Sequence, residues 1–220
     1  MDKHSSAIIS PRLALMWSPL DDLRSRLSLS MGFLAPRVFD DDLYITQVGG
    51  EGAIIRNDPE LEEEKSMSLS FRIEYTPEIG DGLAQFDANG FLTLLDDSFS
   101  IDQAAVQSSD GNLEFIRSNR GGAEVYGVEL NVGYGIEDLF QCDVGYVEQR
   151  SKFDEADPDF GSRDFFRVPD RYGQVKVTMG SADRVGALFL GLRYTGEMKA
   201  PHYAGYISED RLKTTDSFIL

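Results

Sequence analysis

The stretch AEVYGVELNVGYGIEDLFQCDVGYVEQR, residues 123–150, alternates between two kinds of residue. Apolar residues occupy every second position from Tyr126 to Tyr134, and small or polar residues stand between them. After a turn-like segment the alternation resumes at Phe140 and continues to Tyr146. Because successive side chains of a β-strand point to opposite faces, this pattern predicts two antiparallel strands with one apolar and one polar face.

The same period of two recurs along the chain, so the predicted fold class is all-β. Further alternating segments lie near residues 12–17, 26–33, 66–75, 83–95, 174–179 and 187–194. With the first two strands and a last one beginning near Thr214, they make about nine predicted strands. The apolar positions carry no charged residue. The positions between them, on the other face of each predicted strand, carry charged residues that include Arg24, Arg26, Arg72, Glu74, Asp87, Glu129, Asp143 and Lys176.

The composition restricts the class of protein. The net charge of −17 over 220 residues argues against a nucleic-acid partner, which needs a basic surface. Cys142 is the only cysteine, so a disulfide within the chain is excluded. No stretch approaches the ~20 consecutive apolar residues of a membrane-spanning helix. Hydropathy still permits a membrane barrel, because each of its strands exposes only alternate residues to lipid.

The gaps between predicted strands alternate in length. Short turns lie at residues 18–22, 77–82, 135–138 and 181–184, and long gaps at residues 34–65, 96–112, 150–170 and 196–211. Short turns on one rim and long loops on the other are typical of outer-membrane barrels, whereas soluble domains rarely carry four such loops without structure of their own. The pattern favours an antiparallel transmembrane β-barrel segment. The long gaps hold 22 acidic and 9 basic residues, which suits a surface that meets divalent cations or a cationic ligand.

The positions of the aromatic residues support the same interpretation. Tyr126 and Tyr134 are eight residues apart on one face, or ~26 Å along a strand at ~3.3 Å per residue. On a strand tilted by ~40° this separation spans ~20 Å of the membrane, close to the ~25 Å apolar band between aromatic girdles. Other aromatic residues at or near predicted strand ends are Trp17, Phe33, Tyr75, Phe140, Tyr146 and Tyr194.

Residues that could carry chemistry are few. His4 and His202 are the only histidines, and the chain has no Gly-x-Ser-x-Gly turn. The segment DEADPDFG, residues 154–161, has the acidic spacing of a calcium loop but lacks its glutamate at the twelfth position. The sequence therefore predicts no enzyme, no catalytic residue, no cofactor or cofactor-binding residue and no metal ligand, and it identifies no individual ligand-binding residue.

Several short motifs occur in an order that resembles the TonB-dependent outer-membrane receptors. GFLAPRVFDDDLYI (residues 32–45) resembles their GFRAP segment, NDPELEEEKS (57–66) resembles NPxLxPEKS, and AEVYGVE (123–129) is similar to ARxYGxE. RVPDR (167–171) and RYTGE (193–197) resemble a strand start and the end of the penultimate strand. The ordered set covers roughly residues 10–220. Glu124 and Glu63 depart from the family pattern, which has arginine and proline at these positions.

The resemblance implies a 22-stranded barrel filled by an N-terminal plug domain. Residues 1–220 are then expected to be the C-terminal portion of that barrel, without plug domain, signal peptide and final strand end. The complete protein is expected in the cell outer membrane. Its expected partners are outer-membrane lipid, its own plug domain, TonB and an extracellular small or mid-sized solute. The expected function is TonB-energised uptake of a scarce large solute such as a ferric siderophore or cobalamin.

Two other functions stay open at this point. One is a passive porin-like or adhesive outer-membrane barrel, and the other is a soluble β-sandwich binding module. If the chain is part of a receptor, the charged residues opposite the apolar positions line the lumen and contact the plug. Contact with the solute is then expected from the long loops, above all residues 34–65 and 96–112, because binding residues concentrate on loops held by a rigid scaffold.

Overall fold

The computed structural model describes residues 9–36, 53–101, 106–107, 113–157, 160–181, 185–201 and 212–219. Among these residues, no helix is long and apolar enough to cross a membrane. The regular structure consists of the strands β1 (Arg12–Leu20), β2 (Leu23–Leu34), β3 (Ala53–Asn57), β4 (Glu64–Tyr75), β5 (Glu78–Ile79), β6 (Gly82–Asp96), β7 (Ser98–Ile101), β8 (Val106–Gln107), β9 (Leu113–Arg120), β10 (Ala123–Ile136), β11 (Phe140–Phe153), β12 (Arg171–Gly180), β13 (Ala187–Pro201) and β14 (Leu212–Ile219).

Nine long strands form the main sheet in the order β1-β2-β4-β6-β10-β11-β12-β13-β14, and the short β5 pairs with β6. Every pair in it is antiparallel. The predicted hairpins β1–β2, β4–β6, β10–β11 and β12–β13 are all present. The predicted all-β fold with nine strands is therefore confirmed, although β14 begins at Leu212 rather than near Thr214.

The register keeps the apolar positions of neighbouring strands in phase. Leu29 of β2 lies opposite Leu69 of β4, which in turn lies opposite Leu92 of β6. Leu92 then pairs with Tyr126 of β10. Because directly opposite residues share one face of a sheet, these side chains form one continuous surface, here called the apolar face. The other surface, here called the polar face, carries the charged row predicted above.

The apolar face is not covered by other parts of the described chain. Leu69 is 43% exposed, Leu130 is 47% exposed and Leu190 is 64% exposed. Among the described residues, the buried hydrophobic side chains are only Ala84, Ala123 and Val147. A soluble sandwich would pack this face against a second sheet to form its core. The sandwich interpretation is therefore wrong, and the face has the character of a surface that contacts lipid.

The structure corrects the sequence prediction at the long gaps 34–65 and 96–112, which contain short strands of their own. The strands β3, β9 and β7 form a second sheet in that order, and β8 also pairs with β9. The pair β3–β9 is parallel, with Ala53 opposite Leu113. Alternation within a segment does not reveal this pairing, because β3 and β9 lie in different gaps between main-sheet strands.

The long connection before the third hairpin extends beyond the predicted gap at residues 96–112. The residues Leu113–Arg120 belong to the second sheet as β9, and the main sheet resumes only at Ala123. Gly121 and Gly122 separate the two strands. A Cβ atom on Gly122 would lie 2.7 Å from the carbonyl oxygen of Leu95, so the chain can cross from one sheet to the other only with glycine here.

The gap at residues 150–170 is more ordered than predicted. The strand β11 extends to Phe153 and β13 to Pro201, whereas their common neighbour β12 begins only at Arg171. The preceding segment occupies the position that a longer β12 would have taken. The Phe165 amide donates to the Ser151 carbonyl at 3.2 Å, and the Arg167 amide donates to the Lys199 carbonyl at 2.7 Å. This segment therefore joins β11 to β13 through backbone hydrogen bonds.

Candidate functional site

The polar face carries a cleft of about 640 Å³ near the rim of long connections. Glu129, Gln174 and Arg193 line its floor, and the segment 167–169 lies at its edge. The Gln149 side-chain amide donates to the Pro169 carbonyl at 3.1 Å, which fixes that segment against β11. Tyr172 adds an aromatic wall. The cleft thus combines acidic, basic, amide and aromatic groups on a rigid strand scaffold.

Arg167 at the edge of this cleft has an unusual backbone conformation. Its φ angle is 60°, in the left-handed region that non-glycine residues rarely adopt. The amide of Arg167 is held by the Lys199 carbonyl at 2.7 Å. The conformation is therefore imposed by the link to β13. This conformation places an arginine at the edge of the cleft.

Next to the cleft, and sharing Glu129 and Asn131 with its lining, an ion-pair network crosses the polar face. Arg72 of β4 donates through Nε to Asp87 Oδ2 of β6, and Asp87 is only 5% exposed. The Asn131 side-chain amide donates to Asp87 Oδ1 at 3.4 Å and to Glu129 Oε1 at 3.0 Å. The network links three adjacent strands and lies at a smaller cleft of about 250 Å³ that Arg12 and Arg26 also line. The structure thus brings together part of the predicted lumen row.

A single side chain fastens the second sheet to the segment before β4. The Asn119 side-chain amide donates to the Glu62 carbonyl at 3.1 Å and to the Asp97 carbonyl at 2.6 Å. The Asn119 side-chain oxygen accepts from the Glu62 amide at 2.7 Å. Each of these groups is a backbone group of an irregular segment that needs a partner. Asn119 therefore orders the connections on both sides of the β4–β6 hairpin.

Arg120 joins the second sheet to the segment after β11. Its Nη1 atom donates to Asp157 Oδ2 at 3.2 Å and its Nη2 atom to the Ala156 carbonyl at 2.7 Å. The guanidinium also lies 5.7 Å from the centre of the Phe153 ring. Asp157 Oδ1 accepts from the Phe160 amide at 3.1 Å. The acidic segment 154–161, which has the spacing of a calcium loop, thus has a basic partner in Arg120. Among the described residues there is no group of three or more His, Cys, Asp or Glu side chains that could hold a metal ion.

A second charged contact holds the segment between β11 and β13. Lys199 of β13 donates through Nζ to Asp164 Oδ2, and the Ser162 hydroxyl lies 3.1 Å from the same oxygen. Ser162 is buried. The hydrogen bond from Lys199 lowers the pKa of Asp164 below its ordinary value, although burial opposes the shift. Asp164 is therefore a carboxylate at neutral pH and keeps Lys199 in place.

Several residues considered from the sequence lie outside the described ranges. These include His4, His202, the run Asp40–Asp42, and much of residues 34–65 and 96–112. Sequence reasoning missed Asn119, Arg120 and Lys199. Their partners are distant in the chain, and the only local signal was the pair of glycines directly after Arg120.

An exposed apolar face, a polar face with ion pairs and clefts, and structured connections along one rim define a transmembrane β-barrel segment. The family described as "TonB dependent receptor-like, beta-barrel" matches residues 2–220. The chain therefore belongs to the TonB-dependent receptor family, as the sequence motifs predicted. None of the curated proteins compared with the chain matches it.

Solved receptor structures have the same fold. The ferric-catecholate import receptor Fiu from E. coli K12 matches with a TM-score of 0.65 at 16% identity, over 94% of this chain and 27% of that one. The FrpB iron transporter of Neisseria meningitidis (apoprotein form) matches with a TM-score of 0.64 at 18% identity, over 96% and 31%. The siderophore receptor PirA from Acinetobacter baumannii matches with a TM-score of 0.63 at 15% identity, over 94% and 32%. The chain thus spans about a third or less of their length.

Proposed function

We propose that the chain forms the C-terminal portion of the barrel of an outer-membrane receptor that takes up a scarce large solute. The observation that carries the proposal is the family match over residues 2–220 together with the division of the main sheet into apolar and polar faces. The structural relatives named for iron, ferric-catecholate and siderophore transport support a ferric siderophore as the solute. Transport is then energised by TonB, and the barrel performs no covalent chemistry.

In this proposal the polar face contacts both the plug domain and the solute. The network of Arg72, Asp87 and Asn131 presents fixed charges and amides to the plug. The cleft beside Arg193 and Arg167 lies next to the long connections, where a solute arriving from outside is expected to make contact. The two arginines at this cleft suit an anionic iron complex, because guanidinium groups bind carboxylates and phenolates through charge-assisted hydrogen bonds.

The test uses the complete receptor that contains this segment, expressed in cells that depend on it for iron. Replacing Arg193 with glutamine is expected to weaken solute binding at least about tenfold, because a hydrogen bond to a charged group is worth about 1.5–3 kcal/mol. The matched control is Arg24→Gln, which removes a charge from β2, away from the cleft. Uptake of the radiolabelled ferric complex and its binding to intact cells are the measurements.

A passive porin or an adhesive barrel makes opposite predictions. Uptake through the receptor is expected to disappear in a strain without TonB or after the proton gradient is collapsed. Uptake that continues unchanged under both conditions would favour a passive pore. Binding to a host surface without any uptake would favour an adhesin. Plug-coding sequence directly upstream in the gene would support the receptor, and a signal peptide followed at once by strands would contradict it.

A further inference from the structure

The apolar face of β11 and β12 becomes charged towards the rim of long connections. On β11, Glu148 and Arg150 follow Tyr146 at intervals of two residues, and on β12 Arg171 is the first residue. Glu148 lies opposite both Val128 and Arg171, and Arg150 lies opposite Tyr126. Since opposite residues share a face, these charged side chains belong to the lipid-facing surface and not to the polar face.

Carboxylates hold the two arginines side by side. Arg171 Nε lies 3.3 Å from Glu148 Oε1, and Arg150 Nη2 lies 3.7 Å from the same oxygen. Arg150 Nη1 lies 3.1 Å from Asp170 Oδ2 and donates to the Gln149 carbonyl at 2.9 Å. The side chains of Arg150 and Arg171 nevertheless stay 35% and 54% exposed. The two guanidinium groups are therefore oriented in advance and accessible from the lipid side.

A glycine lies one step from Arg171 on the same face of β12. Gly173 stands between Tyr146 and Tyr194 in the register of the three strands. A Cβ atom on Gly173 would lie 2.7 Å from the Gly145 carbonyl oxygen and 3.6 Å from the Tyr146 ring. Glycine is thus required at this position, and it separates the two tyrosines on the lipid-facing surface.

We propose that Arg150 and Arg171 bind the phosphate of a phosphorylated glycolipid in the outer leaflet, with one of its acyl chains lying along Gly173. Guanidinium groups match the geometry of phosphate oxygens, and they bind phosphate bidentately where lysine acts only as a point charge. Tyrosines at a barrel surface mark the boundary between acyl chains and headgroups. Arg150 lies opposite Tyr126, the tyrosine at the end of the apolar band nearer the long connections, and Arg171 lies one step further in, so both are within reach of the phosphates.

The proposal rests on the proposed outer-membrane location, but not on the proposed solute. The arginine pair lies on the opposite face of the sheet from the cleft beside Arg193, so a solute in the lumen does not reach it. The acidic connections further out disfavour an anion. Arg150 and Arg171 keep exposed guanidinium N–H groups beside Glu148 and Asp170, so a phosphate is expected to bind at this pair rather than elsewhere along the rim.

The test is native mass spectrometry of the complete purified receptor, with lipid A as the probe. The double variant Arg150→Gln/Arg171→Gln is expected to bind lipid A at least about tenfold more weakly than the parent protein. The matched control is Arg26→Gln/Lys176→Gln, which removes the same charge from the polar face and is expected to bind as the parent does. The variant Arg150→Lys/Arg171→Lys keeps the charge and is expected to bind with intermediate affinity, because bidentate contacts are lost.

Three outcomes would overturn the proposal. Unchanged lipid A binding by the folded glutamine variant would exclude the arginine pair as the site. Equal loss in the polar-face control would indicate a nonspecific charge effect. Phosphatidylglycerol that binds as tightly as lipid A and with the same dependence on the arginines would exclude a glycolipid as the preferred occupant. Heat-modifiable electrophoretic mobility reports folding of each variant, and solute uptake is measured separately, so failure of the transport proposal remains distinguishable.

Discussion

The main sheet and the second sheet are built from the same kind of strand but are stabilised in different ways. The main sheet pairs long strands of 8 to 15 residues and keeps large apolar side chains exposed on one face. The second sheet has strands as short as two residues and is fastened by polar side chains, chiefly Asn119 and Arg120. The difference lies in what each sheet leaves uncovered: the first sheet exposes a large apolar face, whereas specific hydrogen bonds hold the second in place.

The largest expected effect comes from placing a charge on the apolar face. Leu130→Arg near the middle of β10 is expected to destabilise the complete barrel by about 2–4 kcal/mol, the cost of arginine at the bilayer midplane. The neighbouring substitution Asn131→Arg lies on the polar face beside Asp87 and Glu129 and is expected to cost much less. The measurement is the free energy of unfolding from lipid vesicles in denaturant. Equal destabilisation by both variants would contradict the assignment of the two faces.

A smaller and more local effect is expected from the second sheet. Arg120→Ala removes charge-assisted hydrogen bonds to Asp157 and the Ala156 carbonyl. The local loss is expected to be about 1.5–3 kcal/mol, confined to residues 113–120 and 154–170. Hydrogen exchange should speed up there and stay unchanged in β10. The control Glu155→Ala alters an exposed residue of the same segment and should leave exchange unchanged. Faster exchange in the main sheet would show that the two sheets are not independent.

The smallest expected effect is the pH dependence of the contact between Asp164 and Lys199. The Lys199 hydrogen bond lowers the pKa of Asp164 from its ordinary 3.8, so the unfolded state binds the proton more tightly. The stabilisation is thus fully present above pH ~4 and is lost as the pH falls through the lowered pKa in the folded state. Because both side chains are more than a third exposed, solvent screening limits it to below about 1 kcal/mol.

Protease cleavage within residues 154–170 of the complete receptor measures this contact. Cleavage is expected to accelerate only below pH ~4 in the parent protein. The variant Asp164→Asn is expected to be cleaved faster than the parent protein at pH 7. Its cleavage rate is not expected to rise further below pH ~4, because it has no carboxylate to protonate at this position. An acid-stable protease is needed for the comparison. A parent protein that is first destabilised between pH 5 and 7 would contradict the assigned direction of the pKa shift.

The two sheets also differ in how far the sequence predicts them. Alternation from Tyr126 to Tyr134 fixes the face of each residue, and the short turns between strands then limit which residues can lie opposite each other. The second sheet could not be predicted in this way. Its strands are too short for periodicity, and Ala53 pairs with Leu113 from a separate gap. The contacts of Arg120 and Lys199 also join distant segments, so from the sequence alone the acidic residues near Asp157 indicate only a surface that suits cations.

The parallel pairing of β3 with β9 has a consequence for the order of assembly. It joins residues about 60 positions apart, Ala53 with Leu113, across the intervening hairpin of β4 and β6. Closing so long a loop costs less entropy after the hairpin has formed, because the hairpin has already brought both ends of the loop together. Each strand of the main sheet, in contrast, can pair with the strand before it in the sheet order. The second sheet is therefore expected to form after β2, β4, β6 and β10 have paired. Protection of its backbone amides from hydrogen exchange would then identify receptors in which this part of the barrel wall has formed.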